Sequence, residues 1–571
     1  MAGVATLGGI LTMAPAGASG PGPSASTVTG PSQTVLVTAA VRPDPYNAAT
    51  AGDPAANDID ATVRSIQTNA VDNVVTATTG QDGTDLDAAN GVVANVTPTQ
   101  LAALQANPAV VVTPNLPVAM ADASLGSTLT GLTSTLTSTL TSTVSTLSSA
   151  TPNPAPTRPP AAVFPQTTGA TTLWSRGIDG NGVTVAVLDT GITKSSDLKH
   201  VIGGVDFSGE GNPYDDNYGH GTFVAGLIAG AGTSSKGQYM GEAPNANLVA
   251  VKVAGASGLT DVATVIKGIN WVVNNADRYK IRVLNMSLGA IPVTSSVLNP
   301  LDQAVETAWQ AGIVVVVSAG NAGPFNGTIL SPGDDPLAIT VGSLDDNGST
   351  DATQAQTSPF SSAGPTNPDG WFKPDLVTSG RSVVSLRAPG STIDTLNSTA
   401  EIGKNNFVGS GTSFSAAVTS GAAALEIQSS KLWPGAKGQF PITPDQVKAQ
   451  LLGTTTAGPV GNPFVDGHGA LNVLKAVVNP GLQLTQTVPT TPTNMGDTVN
   501  LKDTWQGSSW NGSSWNGSSW NGSSWNGSSW NGSSWNGSSW NGSSWNGSSW
   551  NGSSWNGSSW NGSSWNGSSW N

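Results

Sequence analysis

The sequence predicts an α/β protein built on a doubly wound, mostly parallel sheet, and three observations carry that expectation. Between residues 183 and 317, short continuous apolar runs alternate with segments of helical period, the pattern of strands buried on both faces with helices packed between them. Asp189, Ser287 and Asn321 follow the ends of such runs, where open α/β sheets gather their functional groups. Further along, Gly411-Thr412-Ser413-Phe414-Ser415 leads into a small apolar run over 416–425, which has the composition of a tight turn entering a buried helix.

A smaller unit comes first in the chain. Residues 33–41 (QTVLVTAAV) read as a strand and 91–96 as another; Leu101 and Leu104 mark a short helix, and Val110 a further strand. Over 119–165 the chain turns Ser/Thr-rich and then Pro-rich. Leu129, Leu132, Leu136, Leu140, Val144 and Leu147 recur there every three or four residues. Ser and Thr are poor helix formers, so this stretch reads as marginal helix or disorder. The large domain follows, with strands at 183–188, 248–253, 283–286 and 313–317. Its helices are expected at 222–229, through Val262, Ile266, Ile269 and Val273, and at 302–311.

Composition narrows the function. With 571 residues and 10% charged side chains, the chain can bury one large core and carry appendages. A balance of 21 basic to 35 acidic residues argues against a nucleic-acid groove. Without cysteine there is neither a disulfide framework nor a thiolate metal site. No run reaches the roughly 18 to 20 apolar residues of a membrane span. Residues 1–18 have an apolar centre and end in Ala16-Gly17-Ala18, but lack a basic front region. They read either as an export signal whose start lies upstream or as a small-residue tail.

Ser413 is the candidate nucleophile, since a helix N-terminus favours developing negative charge; the same motif also fits plain helix capping. A serine hydroxyl needs a base, and the histidines are His200, His220 and His468. His220 lies in Tyr218-Gly219-His220-Gly221-Thr222, ahead of a small-residue helix, whereas His200 and His468 read as surface residues. Asp189 is the carboxylate best placed to hold the histidine's tautomer. Ser318-Ala319-Gly320-Asn321 puts an amide side chain just past a buried strand, able to stabilise an oxyanion together with the Ser413 N–H.

In this order and spacing, VAVLDTGI, GHGTFVAGLIAG, NMSLG, VVSAGN, FSSAGP, KPDLV and GTSFSAA, with a closing GHGALNVLKAV, resemble the subtilisin-like serine protease (subtilase) family. NGVVANVTPTQLAALQANPAVVVTPN, at 90–115, resembles the family's inhibitory prosegment. The resemblance implies a subtilisin-like catalytic domain at 166–480 behind a small α+β prosegment at 30–118. It implies a triad of Asp189, His220 and Ser413, with Asn321 as oxyanion donor. Ser287, Leu288 and Gly289 would form one wall of the substrate cleft, pairing with an extended peptide as an added strand. Ser318, Ala319 and Gly320 would form the opposite wall, and these small residues suggest apolar or medium side chains before the cut bond. The activity implied is that of a secreted serine endopeptidase working through an acyl-enzyme on protein or peptide substrates, with its own prosegment as intramolecular inhibitor. No cofactor is needed for that chemistry. Family members bind structural calcium through carboxylates and carbonyls, but no ligand loop can be assigned here. Departures from the family include Ser415 and Ala417 after the nucleophile, and the long 119–165 linker puts the maturation bond in doubt.

Behind a linker at 481–504, residues 505–571 repeat SSWNG and carry 14 of the 19 tryptophans without any charge. Gly, Asn and Ser disfavour helix, and on one continuous strand an odd period throws successive tryptophans to opposite faces. The tail reads as a flexible Gly/Ser chain, or as a multivalent arm whose indoles stack on cell-wall polysaccharide or on one another. A rival reading of the whole chain is a surface-associated binding protein in which this tail is the main function.

Overall fold

The structure is a computed structural model that describes residues 31–40, 54–120, 162–351, 354–432 and 442–478, with strands between 509 and 570. The expected leader at 1–18 and linker at 481–504 lie outside the described residues, as does most of 119–165. Among the described residues no helix is long and apolar enough to cross a membrane.

Alternation in the first strand builds the N-terminal unit. In β1 (Gln33–Ala39), Val35 and Val37 face one way and Leu36 the other, so the strand has two apolar faces. It pairs antiparallel with β3 (Gly91–Val96) and β4 (Val110–Pro114), and β2 (Thr84–Leu86) lies outside β3. Helices α1 (Pro54–Thr79) and α2 (Pro98–Gln105) cover the Val35 face, where Val71, Val75, Val92 and Leu104 complete a core. A capping box between Thr97 and Gln100, followed by Pro98, fixes where α2 starts. Leu36, Leu86 and Ala89 join the core of the large domain instead. A fifth strand, β5 (Pro117–Met120), leaves the unit and runs across the large domain, two residues past the expected boundary at 118.

The large domain follows its apolar runs. Every residue of β6 (Thr184–Asp189) is buried. The strands β7 (Val201–Asp206), β8 (Asn247–Lys252), β10 (Ile281–Met286), β12 (Val314–Ser318) and β13 (Ile339–Asp345) line up in the order 13-12-10-6-8-7, all parallel. From β6 the chain passes to the edge strand β7, returns to β8 and then crosses to wind outward through β10, β12 and β13, and Asp189 ends β6 beside this crossing, the usual place for a site in such sheets. Three helices pack against the sheet: α3 (His220–Ala229), α4 (Val262–Asn274) and α5 (Pro300–Gln310). The last large element, α6 (Thr412–Ser429), is buried on all sides except at Gln428, which its Ala and Ser content permits. The expected elements are present within about two residues at each end.

His468, expected at the surface, is half-buried, and that expectation is corrected. The closing Gly-His-Gly-Ala segment bridges in parallel to Leu376–Ser379 through Val377 and Ala470, and His468 N–H donates to the Asp375 carbonyl at 2.8 Å. Burial, with the Lys448 ammonium adding to it and Asp375 opposing it, lowers the His468 pKa to about 4. His200 is exposed, as expected.

The tail differs from the flexible chain that its composition suggests. It forms short strands such as Ser514–Asn516, Ser534–Asn536 and Ser554–Trp555, paired in parallel at an offset of 20 residues. Most of these strands hold one tryptophan each, whereas Ser539–Asn546 and Ser559–Asn566 run through two pentapeptides and hold two.

Candidate active site

Asp189 delivers its carboxylate at the carboxyl end of the fully buried β6. His220 opens α3, and Gly219 before it sits at φ +104°, which glycine adopts without strain. At Gly221 a Cβ would lie 2.2 Å from the Gly191 carbonyl oxygen and 3.1 Å from Asp189 Oδ1, so only glycine lets α3 come this near. The result is a pair buried from solvent: His220 Nδ1 is 2.8 Å from Asp189 Oδ1 and 3.0 Å from Oδ2. A carboxylate held there keeps the proton on Nδ1 and makes Nε2 the basic nitrogen.

Sequence reasoning missed Asp216, which locks this turn. Its Oδ1 accepts from the Thr190 hydroxyl and the Gly219 N–H, each at 2.7 Å, and its Oδ2 from the Thr222 N–H at 2.7 Å. Burial raises its pKa against the pull of those hydrogen bonds. The carboxyl thereby ties the residue after Asp189 to the first turn of α3. Its place four residues before His220 was the available signal.

Ser413 lies in the first turn of α6. Its Oγ donates to the Ser287 carbonyl at 3.1 Å, and Ser287 Oγ donates back to the Ser413 carbonyl at 2.9 Å. Ser287 is thus fastened to the backbone of Ser413 as well as lying next to Leu288. The ring of Phe414, next to Ser413 in the chain, has its centroid 5.7 Å from that of His220. Asn321 is oriented by Thr412, a second missed residue. Both the N–H and the hydroxyl of Thr412 donate to Asn321 Oδ1 at 2.9 Å, and the Gly320 N–H donates to Thr412 Oγ1 at 3.1 Å. With the carboxamide oxygen committed, Nδ2 is the end that can donate to an oxyanion.

The cleft beside these groups is filled by the chain itself. β5 pairs antiparallel with β11 (Leu288–Gly289), Met120 opposite Leu288 and Ala119 opposite Gly289. On its other edge it pairs with β9 (Leu259–Asp261), and Met120 N–H donates to the Gly258 carbonyl at 3.3 Å. Leu288 and Gly289 thus pair with one edge of this strand, while the second strand, 259–261, was not anticipated. Gly320 faces Gly289 across a third missed residue, Leu330. A Cβ on Gly289 would come within 2.8 Å of Leu330 Cβ, and one on Gly320 within 2.9 Å of Leu330 Cγ. Leu330 N–H donates to the Ala319 carbonyl at 3.1 Å, which holds the side chain between the two glycines. Ser318 and Ala319 are buried at the end of β12 and support this wall from behind. Among the described residues no group of three or more His, Asp and Glu side chains is arranged to hold a metal ion.

A hydroxyl at a helix start, a buried His–Asp pair and an oriented carboxamide are the parts that acyl transfer requires. Comparison with known proteins agrees in kind. Residues 180–469 match the Subtilase family. The chain is 43% identical over 309 residues to serine protease AprX of Bacillus subtilis, covering 52% of this chain and 67% of that protein. It is 36% identical over 299 residues to subtilisin Savinase of Lederbergia lenta, covering 52% and 91%, and 35% identical over 310 residues to subtilisin E of B. subtilis, covering 54% and 68%.

Proposed function

This chain belongs to the subtilase family and is a subtilisin-like serine endopeptidase, and from that premise we propose that it is a secreted proenzyme that cuts itself after Met120 through Asp189, His220 and Ser413. The observation that carries this reading is the seat of Pro117–Met120 between two strands of the catalytic domain, paired on both edges as an extended peptide substrate would be. The apolar leader ending in Ala16-Gly17-Ala18 supports export.

In the reaction, Ser413 Oγ attacks the carbonyl carbon of Met120 as His220 Nε2 takes its proton, and Asp189 stabilises the imidazolium. Asn321 Nδ2 and the Ser413 N–H donate to the oxyanion. Collapse of the tetrahedral intermediate breaks the bond to residue 121, whose amine receives the proton from His220. Water then hydrolyses the Met120 ester with His220 again as base. The N-terminal unit is left with its new carboxylate in the cleft, where it blocks other peptides until it is removed. Peptide substrates take the same place afterwards.

Intact mass and N-terminal sequencing of the wild type beside Ser413→Ala test this. The expected result is a wild type split between Met120 and Ala121 and a variant in one piece. A variant cut like the wild type would refute self-processing; a new N-terminus elsewhere would refute the bond.

A further inference from the structure

From Gly507 to Asn571 the chain repeats the five residues GSSWN without a single deviation. Strands in this tail pair in parallel with those 20 residues on, so that Ser509 meets Ser529, Ser514 meets Ser534, Ser519 meets Ser539 and Ser524 meets Ser544. Four pentapeptides thus make one coil of a solenoid, and the rows continue, Ser529 meeting Ser549 and Ser549 meeting Ser569. An interior strand such as Ser529–Asn531 is paired on both sides. The first row, from Ser509–Trp510 to Ser524–Asn526, is paired on one side only among the described residues.

We propose that the tail is a self-association module, in which the first row of one copy of this chain pairs with the last row of another and continues the solenoid. Every coil is identical to the next, so a ladder between two copies matches residue for residue the ladder within one copy. Soluble solenoids end in atypical, polar capping repeats, and exposed strand edges are usually defended by Lys, Pro or a bulge. The repeat contains neither Lys nor Pro, and its copies are identical to one another. The contact joins unlike ends, so it does not close on itself and gives an open series of oligomers. All charge lies outside the repeat, with the acidic excess on the rest of the chain, so salt screens the repulsion between copies and strengthens association.

The test uses the full chain carrying Ser413→Ala, which prevents self-digestion. Sedimentation velocity should show a mean mass that rises at least about twofold over about a tenfold range of concentration, and further with salt. Replacing Ser509, Ser514, Ser519 and Ser524 with Pro removes N–H groups from the first row, and this variant should sediment as a monomer. Mixed into the parent, it should shorten the parent's oligomers, because its last row still pairs while its first row ends the stack; an unfolded tail would not do this. A parent that is monomeric throughout, or oligomers that neither the substitution nor the mixing alters, would overturn the proposal. A monomer retained on cell-wall polysaccharide would likewise overturn it and make carbohydrate the tail's partner.

Discussion

Glu242 makes stability fall as pH rises from the acid range through neutrality. Its side chain passes over α6 so closely that a Cβ on Gly421 would come within 2.5 Å of Glu242 Cβ. The residue is buried, neither carboxyl oxygen has a hydrogen-bond partner within 3.5 Å among the described residues, and the nearby Thr168 hydroxyl is committed to the Phe164 carbonyl. Burial raises its pKa from the ordinary 4.5 to about 8, with Thr168 giving only a smaller opposing pull. Between those two values the folded chain keeps a proton that the unfolded chain releases. Stability is therefore full below pH 4.5 and falls as pH rises to about 8, by about 1.4 kcal/mol per pH unit. From about pH 5 to about pH 7 the loss is at most about 2.7 kcal/mol. Glu242→Gln keeps the shape without the charge and should escape that loss. Urea unfolding of both proteins, each in the Ser413→Ala background, measures it: the advantage of the variant should grow steadily with pH. An advantage that stays constant with pH would refute the assignment of this slope to Glu242.

Two further outcomes follow from the site. Loss of an oxyanion donor costs about 10² to 10³ in turnover, a value taken over from subtilisin itself; Thr412→Val keeps the N–H bond to Asn321 but removes the hydroxyl that donates to Asn321 and accepts from the Gly320 N–H, so it should lower kcat by roughly tenfold with KM little changed. An unchanged kcat would show that Thr412 does not orient the amide. Leu330→Gly opens the space between Gly289 and Gly320, and kcat/KM for peptides with a large aromatic residue before the cut bond should rise by about tenfold or more relative to alanine; a profile identical to the parent's would remove Leu330 from the pocket.

Residues that announce themselves locally were legible in the sequence. Asp189 closes an apolar run, His220 is framed by glycines, and Ser413 sits at a turn into a small-residue helix; the structure seats each at a strand end or helix start. Residues defined by what they meet across the fold were not. Thr412 matters because Asn321, 91 positions away in the chain, lies against it. Leu330 matters because two distant glycines leave it room, and β9 because β5 pairs with it from the far side of the linker. His468 looked like a surface residue because nothing nearby in sequence shows that Asp375 and Lys448 enclose it. In the tail the five-residue period was plain, but the 20-residue pairing depends on how the chain coils back on itself.

We propose that catalysis turns on Ser413 as a nucleophile activated by the buried His220–Asp189 pair. Reaction of the mature enzyme with a small organophosphonate, followed by peptide mass mapping, tests it directly. One adduct per chain is expected, on Ser413, and none when His220 is replaced by alanine. Labelling at another residue, or equally fast labelling of Ser413 without His220, would contradict it.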